Sequence, residues 1–417
     1  MEPTSSALIT SDAVILGLLA VTLGAVFYTS SSPRPAFRKF YKYVPSLLLC
    51  YFIPSLYNTF GLIDAEQSRL YYMASRYLLP ATLVLLTLSI DLKGILALGP
   101  KALIMFLTGT LGIIIGGPLA ILLFSVISPE TVGGGGPDAV WRGLTTIAGS
   151  WIGGGANQAA MKEVFEVSDT VFSSMVAVDI LVANVWLAVL LFMASRAPAI
   201  DAKLGADTSA IDELRLRVTE FRERHARIPT VSDLMVLTAI GFGLMGLSHF
   251  LADPLAAWFA ANVPQMERYS LTSSFFWLVV FATTGGLILS FTRARELEGV
   301  GASALGTALL YILIATIGMT MDITAVVERP GLFLLGAVWL GFHALLLFVV
   351  GRLIKAPTFY LAVGSQANVG GAASAPVVAS AFHPSLAPVG VLLAVLGYAI
   401  GTYGAWLCGQ LMRLMAE

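Results

Sequence analysis

The feature that most constrains this chain is a succession of apolar stretches, each about as long as a bilayer is thick. They fall at about 12 to 29, 43 to 60, 71 to 90, 102 to 127, 140 to 166 and 170 to 194. After a polar interval they resume at about 231 to 252, 271 to 291, 303 to 321, 331 to 351, 357 to 382 and 387 to 412. A helix of about 20 residues spans the hydrocarbon layer, so the pattern predicts an all-α polytopic membrane protein. Composition agrees: 57% of the 417 residues are hydrophobic and 12% are charged, against roughly 25% charged in soluble domains. A water-soluble globular fold is excluded.

Charge narrows the partners. There are 24 Lys and Arg against 25 Asp and Glu, a net charge of -1, so no basic field exists to attract nucleic acid. Cys50 and Cys408 both lie in apolar stretches, which suits packed thiols better than a disulfide or a zinc site. The first apolar stretch is preceded by Glu2 and Asp12 and by no Lys or Arg. It lacks the basic flank of a cleaved signal peptide and reads as a retained helix.

Residues 195–230 hold seven Lys or Arg and six Asp or Glu, with Ile211, Leu214, Val218 and Phe221 at helical spacing. Thr208 and Ser209, followed by Asp212 and Glu213, supply N-cap chemistry. This interval reads as an amphipathic cytoplasmic linker helix. It separates a first half, residues 1–194, from a second, residues 231–417, and the halves repeat one another. T-L-S-I-D at Thr87 to Asp91 is followed by Pro100, and G-M-T-M-D at Gly318 to Asp322 by Pro330. One long apolar helix follows in each. Then come G-S-W-I-G-G-G-A-N-Q at Gly149 to Gln158 and G-S-Q-A-N-V-G-G-A at Gly364 to Ala372.

Basic residues orient the halves by the positive-inside rule. Arg34, Arg38, Lys39, Lys42, Lys93 and Lys101 read as cytoplasmic in the first half, and Arg293, Arg295, Arg352 and Lys355 in the second. The Asp91 and Asp322 helices then run in opposite directions, so the repeats are inverted. Six crossings per half would instead make them parallel. The expected count is therefore 10 to 13 helices, with the segment of Pro45 and Pro54, or the piece from Asp253 to Val263, as a re-entrant or half crossing.

Glycine runs inside apolar helices are costly, because lipid offers no partner for a freed backbone group. Two such runs in matching positions predict two crossing broken helices, whose ends present N–H groups to anions and carbonyls to cations. The break glycines are Gly149, Gly153, Gly154 and Gly155 in one half and Gly364, Gly370 and Gly371 in the other. Small neutral polar side chains accompany them: Ser150, Asn157 and Gln158, then Ser365, Gln366, Asn368 and Ser374. These are the candidate solute ligands.

An ionisable group at mid-bilayer costs at least about 2.5 kcal/mol, which singles out Asp179 in V-A-V-D-I-L-V-A-N. Asn184 follows five residues on, about 140° around the helix, so the two side chains serve one site only across a cavity between helices. Asp91 and Asp322 fall at helix ends, where they suit capping. Arg142, His249 and His343 stand isolated and read as satisfied side chains. The chain has no G-K-S/T phosphate loop and no H-E-x-x-H, so neither ATP-driven transport nor metalloprotease chemistry has support. T-V-G-G-G-G at Thr131 to Gly136 occurs once, in a loop, unlike a potassium filter. The G-S-W-I-G run lacks the serine-centred G-x-S-x-G spacing.

S-I-D-L at Ser89 to Leu92, G-S-W-I-G-G-G-A-N at Gly149 to Asn157, the Asp179 to Asn184 segment and G-S-Q-A-N-V-G-G at Gly364 to Gly371 together resemble the bacterial and plastid membrane proteins grouped as domain of unknown function 819. That family looks similar to the cation/proton antiporter and bile-acid/sodium symporter superfamily. The resemblance implies inverted repeats, a core domain of two crossing broken helices holding the last helices of each half, and a separate panel domain that dimerises. It also implies ion binding at the helix after the first break, which maps onto Asp179. Ile180 follows Asp179, so the paired-aspartate signature of the antiporters is absent.

The expectation is a secondary transporter, not an enzyme, in the bacterial inner membrane. It works by elevator or rocking alternating access and carries a small polar or anionic solute with sodium or a proton, without any cofactor or bound structural metal. Asp179 and Asn184 would bind the cation. Alternative readings are a sodium/proton antiporter without organic substrate and a non-transporting scaffold or receptor. The partners are the solute, the cation, the bilayer and a second copy in a homodimer, with no nucleic acid.

Overall fold

Hydrophobic side chains cannot drive helices together in lipid as they do in water, so the chain folds by close approach of small residues and by shared polar groups. The computed structural model describes residues 7–41, 44–65, 67–208, 211, 228–321, 329–383 and 386–416. Among them the regular structure is helical apart from one isolated bridge, Ile9 to Ile63.

The first half contains α1 (Asp12–Ser30), α2 (Ser46–Thr59) and α3, in which Leu70–Met73 continues through a π-helical turn at Ala74–Leu78 into Leu79–Leu88. It goes on with α4 (Pro100–Ile127), α5 (Val140–Val164) and α6 (Asp169–Ser195). The second half contains α7 (Val231–Asn262), α8 (Ser274–Ser290), α9 (Ala302–Gly318), α10 (Gly331–Leu353), α11 (Thr358–Val369), α12 (Gly371–Phe382) and α13 (Ala387–Ala416).

Six of these, α1, α4, α6, α7, α10 and α13, are singly long and apolar enough to cross a bilayer. Counting α8 with the segment Arg293–Val300, bent from it by 95°, makes seven. Helices α9 and α12 are apolar but shorter. The piece from Asp253 to Val263 is not re-entrant: α7 runs unbroken through Pro254 to Asn262. The segment of Pro45 and Pro54 is the 14-residue α2, with Pro54 inside it. The expected linker helix lies largely outside the described residues. Ahead of its expected N-cap at Thr208 and Ser209 stands a separate short helix, Ala197–Leu204, which ends at Gly205 and whose Asp201 accepts from the backbone N of Thr358 at 2.8 Å and so caps α11.

Helix α4 shows how lipid and protein divide one helix. Leu107, Leu111, Ile115, Leu119 and Leu122 form an exposed apolar stripe. On the opposite face, Gly112 and Gly116 let α10 approach until their missing Cβ atoms would lie 2.9 Å from His343 Cα and from Trp339 Cδ1. The helices pack in two groups: α4, α5, α6, α10, α11, α12 and α13 chiefly with one another, and α1, α2, α3, α7, α8 and α9 likewise.

Candidate functional site

Helix α5 is broken at Gly154, whose φ of 73° and ψ of -175° lie where side chains other than glycine's are strained. The bend folds its two arms together, so a Cβ on Gly149 would lie 2.6 Å from the carbonyl oxygen of Asn157, eight residues on. Gly153 sits against Gly401 of α13, again with space for no side chain. Gly155 opens the other way, toward Leu310 and Ile314 of α9. The break therefore lies where the two groups of helices meet.

The second break separates α11 from α12 at Gly370, and Gly371 has a φ of +57°. The breaks lie close together: a Cβ built on Gly371 would sit 3.9 Å from Gly154 Cα. Gly364 lies earlier in α11, against the backbone of Met105 and Phe106 in α4.

Folding α5 back brings both of its arms to Asp179. Trp151 Nε1 donates to Oδ1 at 2.7 Å, Gln158 Nε2 donates to Oδ2 at 2.9 Å, and the Ser150 hydroxyl is a third hydrogen-bonding group. Tyr51 of α2 donates to Gln158 Oε1 at 3.3 Å, so the chain of bonds crosses from one group of helices to the other. Asp179 is 6% exposed, and no Lys, Arg or His lies within 4.0 Å of it among the described residues. A buried carboxylate held only by neutral donors carries an uncompensated charge until a cation or proton joins it.

Asn157 and Asn368 do matching work. Asn157 Nδ2 donates to Gly153 O at 2.9 Å and to Tyr398 O at 3.1 Å, and Oδ1 accepts from Thr402 at 2.6 Å. Asn368 Nδ2 donates to Gly364 O and to Phe106 O, each at 2.9 Å, and Oδ1 accepts from Thr110 at 2.7 Å. Each amide bridges the carbonyl four residues back and a carbonyl of another helix. They brace the broken helices, and both of their amide donors are used.

Ser365 is engaged likewise. It accepts from Trp186 Nε1 at 2.8 Å and meets His343 Nε2 at 2.8 Å, while His343 Nδ1 bonds Gly109 O at 2.8 Å. A carbonyl only accepts, so Nδ1 carries the proton and Nε2 accepts from the Ser365 hydroxyl. His343 is thus a satisfied side chain tying α10 to α4 and α11. Gln366 and Ser374 span the second break, Nε2 to Oγ, at 2.7 Å. Asn184 is not brought to Asp179: it is exposed and donates to Ile180 O on its own helix at 2.7 Å.

Elsewhere Asp91 caps the helix Leu92–Ala97, accepting from Gly94 N at 3.0 Å, and pairs with Arg295. Asp322 lies outside the described residues. His249 bonds Arg76 O at 2.9 Å, and Arg142 bonds Phe165 O at 2.6 Å.

A charged cluster below the first break has no counterpart in the sequence reading. Lys162, its side chain 6% exposed, pairs with Asp169 at 2.8 Å and donates to Tyr71 Oη at 3.0 Å. Tyr71 also bonds Glu163, which pairs with Arg76 at 3.1 Å. Lys162 and Glu163 lie near the end of the apolar stretch at 140 to 166, and their partners Tyr71 and Arg76 come from α3. Trp151 had a signal, its place inside the glycine motif. His343 is the satisfied side chain the sequence suggests, but its partners, 22 and 234 residues away, left no signal there.

The family described as "Protein of unknown function (DUF819)" matches residues 17–415. Over 364 residues the chain is 25% identical to "Uncharacterized membrane protein YjcL" of Bacillus subtilis (strain 168), an alignment covering 84% of this chain and 85% of that protein. With its apolar helices, this makes the chain an integral membrane protein, and it belongs to the DUF819 family of proteins of unknown function.

Proposed function

We propose that this protein is a secondary active transporter that moves a small polar solute by alternating access around the two helix breaks. The observation that carries the reading is the close approach of the breaks at Gly154 and Gly371, at the border between two groups of helices and beside the uncompensated Asp179. A broken helix at membrane depth is tolerated where it lines a polar cavity, and transporters use such breaks to hold solutes and ions. Helices α4, α5, α6 and α10 to α13 would form the moving core. Helices α1, α2, α3 and α7 to α9 would form the panel, through which two copies associate.

In this reading residues 1–194 and 231–417 are inverted repeats, and the shorter and broken helices complete a count of 10 to 13. Asp179 binds sodium or a proton, and its lack of any cationic side chain within reach among the described residues also suits a sodium/proton antiporter. The protein acts as a carrier and not as an enzyme, in the bacterial inner membrane.

The test is counterflow in proteoliposomes with a panel of labelled small solutes, with and without a sodium gradient. Exchange of one solute class, driven by sodium and lost in Asp179→Asn, supports the symporter. Sodium-driven proton movement without any solute supports the antiporter. Neither activity, with Asp179→Asn and Gly154→Ala both inert in cells, would point to a scaffold.

A further inference from the structure

Gln366 has a carbonyl oxygen with nothing to bind. The residue is 1% exposed and its Nε2 donates to Ser374 Oγ at 2.7 Å, while Oε1 has no hydrogen-bond partner among the described residues. An orphaned buried acceptor costs about 1 to 3 kcal/mol, and such atoms call for something that completes them.

Position identifies what is missing. Gln366 is near the end of α11 and Ser374 is in the first turn of α12, so the amide is strapped across the break. At the break itself Gly370 has no space for a side chain, since its Cβ would lie 1.8 Å from Ser374 Oγ and 2.1 Å from Gln366 Nε2. Helix α12 accordingly begins without a side-chain cap. Gly371 lies near Gly154, where the second arm of α5 begins, also on a residue with no side chain to offer. Two helix N-termini thus converge, and their free N–H groups and dipoles favour an anionic group. Beside them stands one unpaired acceptor, which needs a donor. The side chains of the broken helices themselves are neutral at both breaks, and in the transporter reading Asp179 is matched by the coupling cation, so a solute with no net charge leaves no further charge unanswered.

Resting on the transporter reading, we infer that the solute is a small amino carboxylate. Its carboxylate binds at the N-termini of α12 and of the second arm of α5, and its ammonium donates to Gln366 Oε1. Gly154, Gly155 and Gly370 are half-buried rather than enclosed, and Ala372 and Ala373 follow, so the site suits a compact molecule.

The test uses the full-length protein purified in detergent, its thermal unfolding followed with glycine, alanine or serine. The controls are acetate, propionate, ethylamine and sodium chloride. An amino carboxylate is expected to raise Tm where the half-molecules do not. Gln366→Leu should weaken the apparent affinity about tenfold or more, and Gln366→Glu, which keeps an acceptor at the same place, should restore much of it. Equal protection by propionate and alanine, protection by sodium chloride alone, silence of every probe, or unchanged affinity in Gln366→Leu each overturns the assignment. Counterflow separates the two readings. Exchange of another solute class while amino carboxylates do not bind removes this inference and leaves a transporter. Binding of alanine without exchange removes the transporter and leaves the site.

Discussion

Asp179 accepts the indole N–H of Trp151 at 2.7 Å, although the two residues are 28 positions apart and on different helices. The bend at Gly154 makes the arrangement possible, because Gln158, on the far side of the bend, reaches the other oxygen of the same carboxylate. The break in α5 and the buried acid are therefore one structural unit. Movement of either arm changes the number of donors that hold the charge.

Sodium is expected to stabilise the wild-type protein by mass action, by about 2.7 kcal/mol at a hundredfold excess over its Kd. Asp179→Asn should abolish the response in a sodium titration of Tm. Asn184→Ala should leave it intact, since that side chain bonds Ile180 O on its own helix and is exposed. An Asn184 variant that lost the response would return this residue to the ion site.

Adjacent glycines of the first break should differ sharply on substitution. Gly154→Ala forces a side chain into a conformation costing about 1 to 3 kcal/mol. At Gly155 an added methyl meets Leu310 and Ile314 only at 3.8 Å, an ordinary contact, and alanine is the better helix former by up to about 1 kcal/mol. Melting curves of the two variants in one detergent decide the point; equal losses would mean that the bend does not depend on the glycine backbone.

The bracing amides make a chemical prediction. Asn157→Asp presents a carboxylate to Gly153 O and Tyr398 O, which now receive an amide N–H. It should lose more stability than Asn157→Ala, for which about 1 to 3 kcal/mol per unpaired buried group is expected. The same order should hold at Asn368, facing Gly364 O and Phe106 O. Expression level and monodispersity of the four variants give a first reading, and thermal unfolding the magnitudes.

The pair Lys162 and Asp169 should be asymmetric. Lys162 has a side chain 6% exposed, whereas that of Asp169 is 47% exposed. Asp169→Asn strands a buried ammonium and should cost about 3 kcal/mol or more, the range seen when a buried pair loses one partner. Lys162→Met leaves a carboxylate that water can reach and keeps apolar contact with Tyr71 and Phe172; it should cost less. A reversed order in urea or thermal unfolding would sink this account of the cluster.

Hydropathy alone determined that the chain is an integral membrane protein of apolar helices, because bilayer thickness demands about 20 apolar residues per crossing. The glycine motifs showed in the sequence where helices break, because the backbone of Gly154 lies where only glycine is unstrained and that of Gly371 in the left-handed region that favours glycine. Asp179 stood out because a charge within lipid is costly. Tertiary structure decided the rest. It put Asp179 against Trp151 and Gln158, with Tyr51 bonded to Gln158, but turned Asn184 outward, and it used Asn157 and Asn368 as braces. It also buried Lys162 beside residues of α3. These depend on which helices touch, and contacts between residues 21 to 262 positions apart, such as Gln158 with Asp179 and Asn368 with Phe106, leave no period or spacing along the chain for local reading to find.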